Sequence, residues 1–203
     1  IDEIYVAKRI EYSGGEVLGL AADGTVATTL LCFMVKSLVS KYKDIVAMYP
    51  MSKLTAAKQF DCYKEVAKLL QNVLLNVVAI SVDNATANRK FFCDFMCNGT
   101  LRSNVDDPVT GKPVYLIFDP VHDIKNVYNN FQSRKRFQCP PMISPHENLP
   151  NGCIANFHHI VQLFNLEMTM PLKKAHRLSP TVIEPKSIEK TSFKLAMAVF
   201  CES

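Results

Sequence analysis

The chain has 203 residues, 48% of them hydrophobic, so it can bury a real core and does not belong to the disordered class. Its net charge of +4 is uneven: residues 1–120 hold 13 basic and 13 acidic residues, residues 121–203 hold 10 and 6. No run of about 18 apolar residues occurs and no signal peptide is visible, so no membrane helix and no membrane partner are expected. The chain opens on Ile1 and ends at Phe200-Cys201-Glu202-Ser203 inside an apolar helical pattern, as expected of an internal piece of a longer protein.

Ile4 to Ala7 reads as a strand directly after Asp2 and Glu3. Ile10 to Tyr12 and Val17 to Ala21 read as a hairpin whose turn is set by Ser13-Gly14-Gly15. Thr28 to Val35 is apolar and β-branched, a third strand, and Ile45 to Tyr49 continues the sheet. Thr55 to Gln71 is the clearest helix, with Ala56, Phe60, Tyr63, Ala67 and Leu70 at helical spacing and lysines opposite. Val73 to Val82 is a nearly unbroken apolar run, the pattern of a buried central strand.

Ala85 to Met96 reads as a helix with Phe91, Phe92, Phe95 and Met96 on one face. Asn98 to Lys112 reads as a polar loop, Val114 to Phe118 as a buried strand, and Asp123 to Phe131 as a helix. Phe137 to Asn151 carries four prolines and marks a domain boundary. Ile154 to Leu166 and Ser192 to Cys201 are expected to be helical. The order is three strands, helix, strand, helix, strand, helix. That is a mixed α/β sheet, and it is the order of the ribonuclease-H-like fold.

Two apolar strands end in a carboxylate followed by a helix, at Asp83 and Asp119. Carboxylates at neighbouring strand ends can share divalent cations, and such pairs drive phosphoryl transfer. From position alone, Asp83 is either an N-cap or a metal ligand, and Asn84 and Thr86 can take over the capping. Asp2 and Glu3 point to opposite faces of a strand, so only one of them can face a site containing Asp83. Pro120 gives Asp119 a sharp exit, where it serves as a further ligand, a partner to a ligand, or a cap. His122 and Lys125, three apart, share a helix face that suits a phosphate or a carboxylate, although a lone histidine is more often structural.

The seven cysteines are scattered. Cys93 and Cys97 sit four apart with no second pair and no nearby histidine, which reads as buried free thiols and not a zinc site. His158, His159 and His176 have no acid or cysteine at ligand spacing and read as surface or packing residues. Arg134-Lys135-Arg136 is the densest basic point, either a phosphate-binding patch or a solvated loop face. No P-loop, dinucleotide glycine motif or nucleophile elbow is present.

At these residues the chain resembles the P element transposase family, which includes the THAP-domain transposases. The matching stretches are Asp2-Glu3-Ile4, Asp83 through Asn88-Arg89-Lys90-Phe91-Phe92, and Asp119-Pro120-Val121-His122-Asp123-Ile124-Lys125-Asn126. A looser likeness runs from Leu178 to Ala196. The resemblance implies a ribonuclease-H-like catalytic core over 1–136, interrupted by an inserted, mainly helical GTP-binding domain that begins at 143–203. It implies cut-and-paste transposition of DNA by cleavage and joining of strands in the nucleus, with Mg²⁺ or Mn²⁺ as cofactor, GTP as a further ligand and a homo-oligomer as the assembly.

In that family three acids hold two cations about 4 Å apart. The resemblance puts Asp2 and Asp83 in the first two places, and the third, a glutamate, beyond Ser203. Glu167, Glu184 and Glu189 belong to the part that resembles the insertion and are poor substitutes. Asn84 stands where the family has a glycine, and Tyr128 where it has an arginine that contacts phosphate. The rival reading is a host-adopted, catalytically inactive derivative that binds DNA or protein.

Overall fold

The structure, a computed structural model, describes residues 1–139, 141–143, 148–149 and 152–200. They fall into two compact units, Ile1–Asp119 and Pro120–Ser203. The segment 120–134, expected to close a first domain reaching to 136, packs within the second unit.

In the first unit, β1 (Asp2–Tyr5) pairs antiparallel with β4 (Thr29–Lys36), which pairs antiparallel with β5 (Lys43–Met51). The expected hairpin forms as β2 (Glu11–Ser13) and β3 (Glu16–Leu18), but as a separate two-stranded ribbon outside this sheet. Its strands are three residues long and exposed throughout, too little apolar surface to join a core sheet. Gly14 and Gly15 have φ of 61° and 88°, as a two-residue hairpin turn requires. The third strand of the sheet is therefore β5.

Helix α1 (Ala56–Asn72) starts at Thr55, whose side chain accepts from the Lys58 N–H. It ends in a Schellman cap: Leu75 N donates to Leu70 O at 2.9 Å and Leu74 N to Gln71 O at 3.0 Å, with Leu74 at φ 61°. This cap corrects the expectation of a strand starting at Val73. The apolar run is spent first on ending a helix, and only β6 (Ala79–Val82) is extended. Its residues alternate, Ile80 and Val82 buried and Ala79 and Ser81 exposed, so it is not buried on both faces.

After β6 come α2 (Thr86–Lys90) and a π-helical turn, Phe91–Met96, where Cys97 N reaches back five residues to Phe92 O. Within the expected polar loop lies a strand that its polar sequence hides, β7 (Asn104–Asp106). It pairs antiparallel with β8 (Pro113–Phe118), which runs parallel to β6 in the register Val82↔Phe118. Asp107, fully buried, ties down the turn between them: it accepts from Tyr63 Oη at 3.0 Å and Thr110 Oγ1 at 2.7 Å. The core joins Leu31 and Phe33 of β4, the buried face of α1, Ile80 and Val82, Phe91, Phe92 and Met96, and Val114 and Leu116.

In the second unit, α3 (Pro120–Arg134) turns at Lys135, φ 64°, into β9 (Arg136–Cys139). The basic triplet is therefore a helix-to-strand corner. Two short strands follow, β10 (Met142–Ile143) and β11 (Asn148–Leu149). Pro140, residues 144–147, Pro150 and Asn151, all within the expected proline-rich boundary, lie outside the described residues. Next, β12 (Cys153–Asn156) pairs antiparallel with β9, so the helix expected from Ile154 begins only as α4 (Phe157–Glu167), capped by Asn156. Then α5 (Pro180–Ile183) and α6 (Phe193–Phe200) complete the unit around Tyr128, Phe131, Phe157 and Ala196. Cys201, expected to end α6, lies outside the described residues.

Candidate functional site

The backbone nitrogen of Ile1 donates to Ser81 O at 2.8 Å, which sets the start of β1 beside the end of β6. The strands of the first unit then read β5-β4-β1 followed by β6-β8-β7. Asp2 is one residue, and Asp83 two residues, from that bond. The two aspartates singled out in the sequence are thus brought to adjoining strand ends.

Asp2 is exposed, and its Oδ1 accepts from the Glu3 N–H at 2.9 Å. It stands opposite Cys32 in the β1–β4 register. Burial, and then the charge of Asp2 beside it, pushes the Cys32 thiol up from its ordinary value. The Asp2 carboxylate therefore lies on the Cys32 side of the sheet.

Asp83 is half-buried, and two donors converge on its Oδ1: Ala85 N at 3.0 Å and Asn88 Nδ2 at 2.5 Å. The Ala85 bond closes a tight local turn between strand and helix. The sequence leaves both capping and metal binding open for Asp83. The local bonds use one oxygen, and no donor among the described residues reaches Oδ2. Asn88 Oδ1 in turn accepts from Gln59 Nε2, on α1, at 2.6 Å. Arg89 Nε donates to Asn84 Oδ1, so the side chain standing in place of the family's glycine is held on α2.

Asp119 follows β8 directly, next to β6, and its N–H donates to Val82 O at 2.8 Å. Asp83 and Asp119 therefore follow the ends of two adjacent parallel strands. Pro120 takes the first helical position of α3, which leaves Asp119 at the place of its cap. His122 and Lys125 lie in the first two turns of α3, both half-buried, and belong to the second unit.

A hard divalent cation takes carboxylate oxygens, and the donor set Asp2 plus Asp83 fits that chemistry. Among the described residues no three of His, Cys, Asp and Glu gather into a metal-holding group. Two glutamates of the second unit have other work. Glu167 is buried and accepts from Lys174 N and Ala175 N at 3.1 Å each, and Glu189 Oε2 accepts from Lys186 N at 2.7 Å. Tyr128, where the resemblance implies an arginine, is fully buried and donates to Val182 O at 2.7 Å. It is a core residue here and cannot be reached by a phosphate.

Gln59 and Asn88 were not singled out as site residues. Asn88 lies inside the polar run that Asp83 opens. Gln59 carried a signal of its own: it is the polar member of a helical stripe, three residues after Ala56 and four before Tyr63, and it is fully buried. A polar side chain in an apolar stripe has a partner to find.

Residues 1–96 match the family model described as the TNP-like, RNase H N-terminal domain. Among solved structures, the Drosophila P element transposase strand transfer complex matches with a TM-score of 0.76 at 20% sequence identity, over 98% of this chain and 41% of that one. At that identity the likeness is one of fold, and the chain spans less than half the length of that relative. No curated protein sequence matches. Among the described residues no helix is long and apolar enough to cross a membrane. With its two three-stranded sheets, its strand-end aspartates and these likenesses, the chain is similar over residues 1–96 to the TNP-like RNase H N-terminal domain and has the fold of a P element-type transposase.

Proposed function

We propose that this chain is part of a DNA transposase that cleaves and joins DNA strands with the help of divalent cations. The observation that carries the reading is the placing of Asp2 and Asp83 within two residues of one bond, Ile1 N to Ser81 O, at adjoining strand ends. Asp2 and Asp83 would hold Mg²⁺ or Mn²⁺ together with an acid from outside the described residues. When bound, such cations supply Lewis-acid activation of the attacking and leaving oxygens of an in-line phosphoryl transfer.

The chain's own part is to bring two carboxylates together and keep them from turning away. Ala85 N and Asn88 Nδ2 hold Asp83 by Oδ1. Asp2 is held by its strand pairing with Cys32. Asp119, after the adjoining strand, is proposed to partner a ligand, and His122 and Lys125 on α3 are proposed to meet a DNA phosphate. A nuclear location, GTP binding by the part from 143 onward and a homo-oligomeric assembly belong to the same reading.

The test uses the full-length protein that contains this chain. Asp83→Ala abolishes Mg²⁺-dependent strand cleavage and leaves the far-UV circular dichroism unchanged. Cleavage retained by that variant overturns the reading, and a wild-type protein that binds DNA ends without cutting them supports the inactive, host-adopted alternative.

A further inference from the structure

We infer that Gln59 and Asn88 are positioning residues that orient the Asp83 carboxylate for cation binding, through a polar relay running out of the core. The inference rests on the reading that Asp83 is a metal ligand.

The direction of the relay is dictated by charge. An ionised carboxylate only accepts hydrogen bonds. Asn88 must therefore turn its Nδ2 toward Asp83 Oδ1, at 2.5 Å, which leaves its own Oδ1 facing α1. That oxygen also only accepts, so Gln59 must turn its Nε2 toward it, at 2.6 Å. Were Gln59 absent, Asn88 Oδ1 would lose its donor and the amide would be held from the carboxylate side alone. With Gln59 in place, a flip of Asn88 would set two amide nitrogens face to face as well as an amide oxygen against the carboxylate. The inner amide thus locks the outer one, and the outer one locks the carboxylate.

Burial makes the lock effective. Gln59 is fully buried and Asn88 is 8% exposed, so water cannot readily replace either partner. In such surroundings hydrogen bonds are strong and unpaired polar groups are costly. The relay ends at Gln59 Oε1, a buried oxygen with no partner among the described residues. An apolar side chain at 59 would extend the stripe of Ala56, Tyr63, Val66, Ala67 and Leu70 without that defect. A core that served stability alone would have no use for an amide here. What the amide adds is the alignment of Asn88.

The consequence falls on Asp83. Two donors occupy Oδ1, which fixes the plane of the carboxylate and leaves Oδ2 as the oxygen offered outward. Groups that orient a metal ligand typically change metal affinity by about 10- to 100-fold when removed.

The test is Mn²⁺ binding to the full-length protein, read from the electron paramagnetic resonance of free Mn²⁺, with Asp83→Ala defining the site that depends on Asp83. Asn88→Ala is expected to weaken that site about tenfold or more, and Gln59→Met, of similar length, by several-fold. The Mg²⁺ concentration for half-maximal cleavage should rise in the same order, while the rate at saturating Mg²⁺ stays within about twofold for Gln59→Met. Gln59→Met removes the orphan Gln59 Oε1 but takes the donor from Asn88 Oδ1, so its melting temperature should stay close to that of the wild type.

A structural role predicts the reverse: a lower melting temperature with Mn²⁺ affinity untouched. That result for Gln59→Met overturns the inference even if Asn88→Ala fails to fold. Asp83→Ala with unchanged Mn²⁺ binding and cleavage would instead overturn the proposed function, and the inference with it.

Discussion

Tyr128 Oη donates to Val182 O at 2.7 Å, joining α3 to α5 across 54 residues of chain at the centre of the second unit. Burial first, and then the charge of Glu189, raises the phenol above its ordinary value, so it stays a donor over the working range. Tyr128→Phe keeps the ring and strands the carbonyl. It should cost about 1–3 kcal/mol, seen as a lower midpoint in thermal or urea denaturation of the second unit's transition. Tyr128→Arg buries a charge and should prevent that unit from folding. A gain in DNA affinity without loss of stability would show this reading of the site to be wrong.

Leu74 occupies the left-handed position of the α1 cap with its side chain 90% exposed. An L-residue pays about 1–2 kcal/mol for that conformation, and glycine does not. Leu74→Gly should therefore raise stability by roughly 0.5–1 kcal/mol, measured by chemical denaturation. A destabilised variant would mean that the leucine side chain contributes more than its exposure suggests.

Asp23 gathers Thr25, Ser52 and Lys58 around one exposed carboxylate. The Thr25 hydroxyl, then the Thr25 N–H, then Lys58 hold its carboxyl well below the usual value of 3.8. The unfolded chain therefore takes up a proton there before the folded chain does. The contribution of Asp23 to stability is fully present above pH 3.8 and falls away as pH drops through the lower folded value. Asp23→Asn should flatten the fall of stability below that pH, measured by urea midpoints across the acid range. An unchanged acid limb would remove Asp23 from the account.

Asp2→Asn keeps the shape of the side chain but halves its capacity as a hard, charged ligand. In the full-length protein it should lower Mg²⁺-supported cleavage by about a thousandfold or more, comparable to losing a main electrostatic contributor to a transition state. Supercoiled-plasmid nicking at several Mg²⁺ concentrations checks this. Near-normal nicking would leave Glu3, its neighbour on the opposite strand face, as the better candidate.

The sequence made the strand-end aspartates legible because each closes an apolar run and opens a helical one, as Val82-Asp83 and Phe118-Asp119 do. It also made α1 legible, through a stripe of five apolar positions. It misled where one composition serves two ends. Val73 to Val78 is as apolar as a strand, yet it forms a helix cap and a connector, since Leu74 N and Leu75 N turn back to α1. Ile154 looked like the start of a helix, yet Asn156 is the cap, and the residues before it pair with β9. The relay behind Asp83 was hidden for another reason. Its bonds join residues 29 and 5 apart in the chain, and their pairing is a tertiary fact that no local pattern states.

The π-helical turn at Phe91–Met96 has a consequence for how this stretch tolerates change. Directly before it, α2 must keep Asn88 in phase with Asp83 and Gln59. Within it, Phe91, Phe92 and Met96 must fill the core. In an unbroken α-helix each residue turns by about 100°, so any adjustment on the aromatic side would swing Asn88 as well. The wide turn, held by Cys97 N to Phe92 O, takes up such a slip locally. The aromatic half can then drift in sequence and repack, like a coupling with play in it, while the amide that serves the carboxylate keeps its bearing.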